Sequence, residues 1–204
     1  MIPALSADPY HDPHHADREF TQVDLSGGRL ESKEFVDCTF VHCVFSEVEL
    51  VACRFVSCTF TSCDLSLASL LDTHFEGTRF EDAKAIGIDW TRAAWPKMTL
   101  GEPLSFERCA LDHSTFLGLR LPKVRILDCV AREADFREAD LTGADFSGTD
   151  LTGALFGDTN LSRADLSRAR NYAIAPDRNR IGKAKFSLPE ALALLHCLDI
   201  ELTE

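Results

Sequence analysis

A large apolar residue returns at every fifth position over most of this chain. The pattern is clearest between residues 134 and 169, where a small residue stands two positions before each apolar one. A five-residue period fits neither the turn of an α-helix nor the alternation of a β-strand. A unit this short cannot bury its own apolar side chain, so the units must stack on one another as a solenoid. The apolar central positions include Phe20, Leu25, Leu30, Phe35, Phe40, Phe45, Leu50, Phe55, Phe60, Leu65, Leu70, Phe75 and Phe80, and later Phe136, Leu141, Phe146, Leu151, Phe156, Leu161 and Leu166.

The register breaks once, in the middle of the chain. It weakens at Ala85, is lost after Trp90, and resumes at Phe106 displaced by one residue. We therefore expect a loop that leaves the solenoid at about residues 91–105. The alternative is a plain connection with Trp95 folded back onto the core. We favour a binding loop, because Trp and Met are enriched in interface cores and loops on rigid scaffolds often carry function.

The two ends of the chain lie outside the five-residue period. Residues 1–16 contain three prolines and three histidines, and we expect a mobile tail there. Metal binding by the histidines is the alternative, but no Cys or carboxylate has matching spacing. The solenoid is predicted to span residues 17–170 and a C-terminal turn and helix residues 171–204. Phe186 is the one phenylalanine that falls outside the central positions.

The C-terminal segment has the pattern of an amphipathic helix. Ser187 and Glu190 have the spacing of a capping box, and apolar residues follow at helical intervals over about Leu188–Leu198. Terminal repeats need covering, so part of this face should cap the open end of the solenoid. The remainder is expected to meet a second copy of the chain. The predicted dimer interface consists of Leu188, Leu192, Leu195 and Leu198.

Cysteines occupy the small position two residues before a central residue in seven of eight cases. Free cysteine behaves as a small buried hydrophobe, so we expect buried, reduced thiols rather than disulfides or zinc ligands. The residues in this position are Cys38, Cys43, Cys53, Cys58, Cys63, Cys109 and Cys129, and only Cys197 lies outside it.

The charge balance restricts the partners. The chain has 33 acidic and 21 basic residues, for a formal net charge of −12. This argues against direct nucleic-acid binding, which requires a basic surface. No apolar run is long enough to span a membrane, and the N-terminal sequence lacks the regions of a signal peptide, so we expect a cytoplasmic protein.

No motif of an enzyme is present in the sequence. Nucleophile elbow, phosphate loop, zinc and dinucleotide signatures are all missing. The many aspartates that directly precede a central residue belong to the repeat and are expected to bond turn backbone groups. We therefore expect neither catalysis, nor a cofactor, nor a metal site.

The five-residue motif of a small residue, Asp or Asn, Leu or Phe, and two polar residues resembles that of the pentapeptide-repeat family. The resemblance implies an all-β fold, a right-handed quadrilateral parallel β-helix with four pentapeptides in each coil. Positions twenty apart should then stack, with Phe20, Phe40, Phe60 and Phe80 in one column. A second column should contain Phe35, Phe55 and Phe75.

Three segments are similar to the family branch that contains the Qnr quinolone-resistance proteins, McbG and AlbG. They are the break at Ala85–Ile88, the loop around Trp95, and the ending from Asn171 to Ile200. The resemblance implies a DNA mimic that binds DNA gyrase or topoisomerase IV, protects it from a quinolone or peptide toxin, and forms a homodimer through the C-terminal helix. No early loop interrupts the first coils as in Qnr proteins, which favours the toxin-immunity type.

The expected partner contacts come from the loop and from the acidic repeats. They are Trp95, Pro96, Lys97, Met98, Asp135, Asp140, Asp145 and Asp150. The alternative hypothesis is a structural pentapeptide-repeat scaffold that binds another protein and has no connection with topoisomerases.

Overall fold

The computed structural model describes residues 12–95, 104–198 and 200. Most of its regular structure consists of very short strands, because each side of a coil is only five residues long. The strands are β1 (His14–Ala16), β2 (Glu19–Thr21), β3 (Arg29–Glu31), β4 (Glu34–Val36), β5 (Thr39–Val41), β6 (Glu49–Val51), β7 (Arg54–Val56), β8 (Thr59–Thr61), β9 (His74–Glu76), β10 (Thr78–Glu81), β11 (Leu104–Glu107), β12 (Arg125–Leu127), β13 (Asp165–Leu166) and β14 (Lys185–Phe186). Two 3₁₀ helices span Trp90–Arg92 and Glu190–Leu192, and one α-helix, α1, spans Ala193–His196.

All the paired strands run parallel, and most pair with the strand twenty residues further on. One sheet has the order β12-β11-β10-β8-β5-β2 and another the order β1-β4-β7-β9, while β3 pairs with β6 and β13 with β14. Isolated parallel bridges continue these ladders. The chain is therefore a parallel β-solenoid of about 8 turns, as predicted. We name its four sides by their first central residue: the Phe20, Leu25, Leu30 and Phe35 sides.

Columns of aromatic rings run through the core. The rings of Phe40 and Phe60 stack with centroids 4.5 Å apart, and those of Phe35 and Phe55 with centroids 5.0 Å apart. Rings from neighbouring columns meet edge to face, as Phe35 and Phe40 do at 5.4 Å. Both arrangements suit the quadrupole of an aromatic ring and add to the gain from burial. The two predicted columns are confirmed.

At several small inward positions, the side chain donates a hydrogen bond to the coil below. The Sγ of Cys43 donates to the carbonyl of Phe20 at 3.2 Å, and the Sγ of Cys58 to that of Phe35 at 3.4 Å. The hydroxyl of Thr78 does the same to Phe55 at 3.2 Å. The seven cysteines in this position are buried and free, as expected. Burial raises the pKa of Cys58 to about 12, so its thiol stays protonated.

The solenoid begins earlier than the sequence pattern indicated. Residues 14–16, which we assigned to a mobile tail, form β1 and pair with β4. The imidazole of His15 is buried and stacks on Phe35 with centroids 4.8 Å apart. Histidine takes the place of the central apolar residue, so a search for apolar residues misses this first side. Residues 1–11 lie outside the described residues.

The solenoid also ends later than residue 170. Strand β14 pairs with β13, and Phe186 lies opposite Leu166. The side chains of Tyr172 and Ile174 between them are buried. The five-residue period is lost after Ala169, but the twenty-residue spacing is kept at Phe186. The residues up to Phe186 that we assigned to a C-terminal turn therefore belong to the last coil.

The C-terminal helix is shorter than the predicted span Leu188–Leu198. A 3₁₀ turn and the four residues of α1 replace it, and the predicted capping box does not form. The Oγ of Ser187 instead accepts a hydrogen bond from the backbone of Arg168 at 3.1 Å. Ala193 and Leu194 pack against the core, so the segment covers the end of the stack. Among the described residues, no helix has the length and apolar character needed to cross a membrane.

Replacing one ring of the aromatic column tests how much the stack contributes to stability. Phe60 is fully buried between Phe40 and Phe80. We expect Phe60→Ala to lower the free energy of unfolding by about 3–5 kcal/mol, because the cavity can collapse little between two fixed coils. Guanidinium denaturation followed by circular dichroism measures this. The control is Leu155→Ala, since Leu155 is exposed; an equal loss in both variants would contradict the central role of the column.

Candidate partner-binding surfaces

The aspartates that precede a central residue bond the turn that follows them. Asp140 Oδ1 accepts from the backbone N–H of Thr142 at 3.2 Å, and Asp145 Oδ1 from that of Ser147 at 3.0 Å. Asp135 and Asp150 make the same contact with the residue two positions on. This is the Asx-turn role expected from the sequence. One carboxylate oxygen of each is thus engaged within the repeat.

These four carboxylates do not form one surface. Their bridge partners are Leu155 for Asp135, Asn160 for Asp140, Asp165 for Asp145 and Arg170 for Asp150. Each bridge belongs to a different side of the coil, because a step of five residues turns the chain to the next side. A rigid partner that approaches one side meets one of the four. The structure therefore separates residues that we grouped as candidate contacts.

Asp150 is the most enclosed of the four, with 5% of its surface exposed. Arg132 donates to its Oδ2 at 3.1 Å and Asn171 to its Oδ1 at 3.0 Å. Burial alone would raise its pKa, but hydrogen bonds from Asn171, Thr152 and Arg132 hold the pKa of Asp150 well below its usual range. Its charge is balanced within the chain, so it has little left to offer a partner.

One set of exposed acids lies at the corners of the coil. Each corner is the second residue after a central position, where the backbone adopts a left-handed φ near 55°, as at Glu133. Sequence analysis missed this set because it concentrated on the position before the central residue. A count of acids at each of the five repeat positions would have found it. The corner acids are Asp17, Asp37, Glu47, Asp72, Asp82, Asp128, Glu133, Glu138 and Asp158, all exposed.

The predicted loop is anchored where it leaves the solenoid. Phe80 pairs with Phe106, 26 residues on, so the insertion adds six residues to one coil. Trp95 Nε1 donates to the carbonyl of Trp90 at 2.8 Å, and the half-buried ring packs against the core. Trp95 therefore has the folded-back position that we considered as the alternative. The other candidate loop contacts, Pro96, Lys97 and Met98, lie outside the described residues.

The four leucines of the predicted dimer interface are all exposed. Leu188 has 78% of its surface exposed, Leu192 44%, Leu195 37% and Leu198 39%. They follow one another along a segment of eleven residues at the end of the rod. Apolar side chains grouped on an exposed surface commonly mark a protein–protein contact. The arrangement suits the dimer contact that the sequence predicts.

The described residues contain no group of three or more side chains with the arrangement of a metal site. Seven of the eight thiols are buried, and the carboxylates of Asp140 and Asp145 accept hydrogen bonds from backbone groups of the turns that follow them.

The sequence profile of the pentapeptide repeat region matches residues 33–104 and 88–166. The chain belongs to the pentapeptide-repeat family. A comparison with curated protein sequences found no significant match. The family assignment agrees with the four-sided parallel coil and with its stacked central residues.

Two solved structures share the fold. A trypsin-treated variant of QnrB1, a plasmid-mediated fluoroquinolone resistance protein, is 18% identical with a TM-score of 0.69, over 93% of this chain and 97% of that one. HetL, a pentapeptide repeat protein involved in heterocyst differentiation regulation in the cyanobacterium Nostoc sp. strain PCC 7120, is also 18% identical, with a TM-score of 0.66 and coverage of 86% of each chain. The fold is common to both, although their described roles differ.

Acid should destabilise the fold through the bonded turn carboxylates. Burial alone would raise the pKa of Asp165, but hydrogen bonds from Lys185 and Ser167 lower it to about 2. The unfolded chain binds a proton near pH 4, so this stabilisation is present above about pH 5 and is lost as the pH falls toward 2. We expect Asp165→Asn to lose about 1–2 kcal/mol at pH 7, allowing for solvent screening, and almost nothing at pH 2. Urea denaturation at the two pH values measures the difference, with the exposed corner variant Asp158→Asn as control. A loss for Asp165→Asn that stays constant with pH would rule out this linkage.

Charged substitutions at the exposed leucines of the C-terminal segment test whether these leucines form a dimer contact. We expect the parent chain to be a dimer and the double variant Leu192→Asp with Leu195→Asp to be a monomer, because burial of the carboxylates in an apolar contact is unfavourable. Multi-angle light scattering gives the mass of each. The control carries the same charges at the exposed residues Leu67 and Leu117, which lie on the sides of the rod. A dimer that survives in the first variant would place the contact elsewhere.

Proposed function

We propose that this protein is a DNA mimic that binds DNA gyrase or topoisomerase IV and protects it from a topoisomerase poison. The observation that carries the proposal is the set of exposed acidic corners on a four-sided stack of coils. Corner residues on successive coils, such as Glu138 and Asp158, lie about 4.8 Å apart along the stack. Duplex DNA carries one negative charge for about every 1.7 Å. The rod matches DNA in the sign of its charge and has a lower charge density.

The resemblance of the sequence to the Qnr, McbG and AlbG branch supports the same partner. The six-residue insertion and the C-terminal segment are two of the features on which this resemblance depends. The common fold with QnrB1 is consistent with it. In the proposed mechanism, the acidic rod occupies a groove that is built for DNA, and this disfavours the complex in which a quinolone or a peptide toxin traps cleaved DNA.

The dimer is part of the proposal. Two copies that meet through Leu188, Leu192, Leu195 and Leu198 would place their rods end to end, because these residues lie at the end of the stack. The length of acidic surface then doubles without any change in the coil itself. A longer rod spans more of a groove that accepts a duplex.

A structural scaffold that binds another protein is the second candidate. The comparable similarity to HetL, whose described role is in differentiation, favours it. Both candidates predict protein binding through the outward positions. They differ in whether the protein acts on a purified topoisomerase.

A deletion that restores the regular coil tests the role of the insertion. Removing Pro96–Gly101 takes out six residues and returns Phe80 and Phe106 to the spacing of all other coils. Trp95 and its bond to Trp90 are kept. We expect this variant to melt at or above the temperature of the parent chain, yet to protect gyrase at least tenfold less well. Supercoiling by purified gyrase, with a fluoroquinolone or a peptide poison present, measures protection.

The companion variant Lys97→Ala with Met98→Ala keeps the length of the loop and removes two of its predicted partner contacts, so we expect it also to protect gyrase less well than the parent chain. Equal protection by the parent chain and the deletion variant would remove the loop from the mechanism. If the parent chain neither rescues nor inhibits gyrase or topoisomerase IV even in large molar excess, the topoisomerase proposal fails and the scaffold remains.

A further inference from the structure

One half of the Phe35 side is basic, although the chain as a whole is acidic. The half begins at Arg120, whose ladder continues through Asp140 and Asn160 to Arg180. The corners that follow this side on the same coils are Lys123, Gly143, Arg163 and Lys183, all with left-handed φ near 60–70°. We call the surface formed by Arg120, Lys123, Arg163, Arg180 and Lys183 the basic half-side. All five side chains are exposed.

The five cations have no acidic partner within the described part of the chain. Neither an ion pair nor a hydrogen bond involves any of their side chains there. The one acid among them, Asp140, accepts from the hydroxyl of Thr142 at 2.6 Å and from Asn160 at 3.2 Å. The charge of the basic half-side is therefore available to another molecule.

The other half of the same side has the opposite character. Glu34, Asp37 and Glu76 face outward there, and the one arginine between them, Arg54, is held by Glu34 at 3.9 Å and by Glu76 at 3.3 Å. The insertion after Trp95 lies between the two halves. The charge of the Phe35 side thus changes from negative to positive along the stack. A surface that only imitated DNA would need negative charge alone.

We propose that the basic half-side is a docking surface for an acidic segment of a partner polypeptide. From Arg120 to Arg180 the ladder rises three coils, about 14 Å. An extended peptide presents a side chain on one face about every 6.8 Å, so two or three glutamates or aspartates on that face span the surface. The small residues between the basic columns, Thr142, Ser162 and Gly182, leave room for the peptide to lie flat.

A nucleic-acid duplex fits this surface less well. Its phosphates continue at one charge for about every 1.7 Å beyond the 14 Å of the basic half-side. Further along the axis they meet Glu76 and Glu34, and they are repelled by a chain of net charge −12. An acidic peptide can turn away from the rod where the basic residues end. This inference does not depend on the proposed topoisomerase partner.

The experiment uses a fluorescein-labelled peptide of about ten glutamates as the probe and measures its anisotropy against the full chain. We expect binding at about 0.05 M salt that is lost at about 0.5 M, because screening removes contacts between exposed charges. The test variant carries Arg163→Glu with Lys183→Glu. Both are corner positions, and glutamate already occupies corners at Glu133 and Glu138, so the turns are kept.

The matched control carries Arg79→Glu with Arg92→Glu, which changes the net charge equally at exposed residues on other sides. We expect the test variant to bind the probe at least tenfold more weakly than the parent chain and the control to bind it within threefold. Circular dichroism melting verifies the fold of each. Failure of the parent chain to bind, equal weakening in both variants, or tighter binding of a labelled DNA duplex than of the peptide would overturn the proposal.

Discussion

The structure depends on the parallel register that places each residue above the one twenty positions earlier. The ladder from Phe20 through Phe40, Phe60 and Phe80 brings like side chains together, so one choice of residue type is repeated through the stack. Aromatic rings stack because the register places each phenylalanine directly above another phenylalanine. Thiols and hydroxyls at the small position donate to the carbonyl of the coil below because the same geometry recurs. A single register thus sets both the packing of the rings and the hydrogen bonds that Cys43 and Thr78 make to the coil below.

This register separates the inside of the rod from its outside. Inward positions are restricted to a ring, a branched aliphatic side chain or a small residue, whereas the outward positions can change freely. The basic half-side and the acidic corners lie on the same kind of coil. QnrB1 and HetL have different described roles, yet each shares the fold of this chain at 18% sequence identity to it. This is expected when the fold constrains the inward positions and leaves the outward ones free to change.

The sequence predicted most of the fold, because the period of five appears directly in the spacing of its phenylalanines. The sequence-based prediction failed at the two ends of the solenoid. His15 replaces an apolar ring, and Phe186 keeps the spacing of twenty after the spacing of five is lost. The candidate site was less predictable. Asp135, Asp140, Asp145 and Asp150 look like one acidic strip in the sequence, yet three steps of a quarter turn each place them on four different sides. Surface neighbours in a solenoid are twenty residues apart, so an outward patch must be read along columns and not along the chain.

The burial of His15 at the first coil bears on how the stack avoids growing. A parallel ladder of identical coils presents an unpaired edge at each end, and another molecule could extend it into a fibre. At the first described coil, the buried imidazole of His15 stacks on Phe35, so a polar ring stands where the later coils of this column carry phenylalanine. At the other end, Ala193 and Leu194 cover the last coil. Among the described residues, the two ends of the ladder therefore differ in chemistry, with a histidine ring at the first coil and apolar residues over the last.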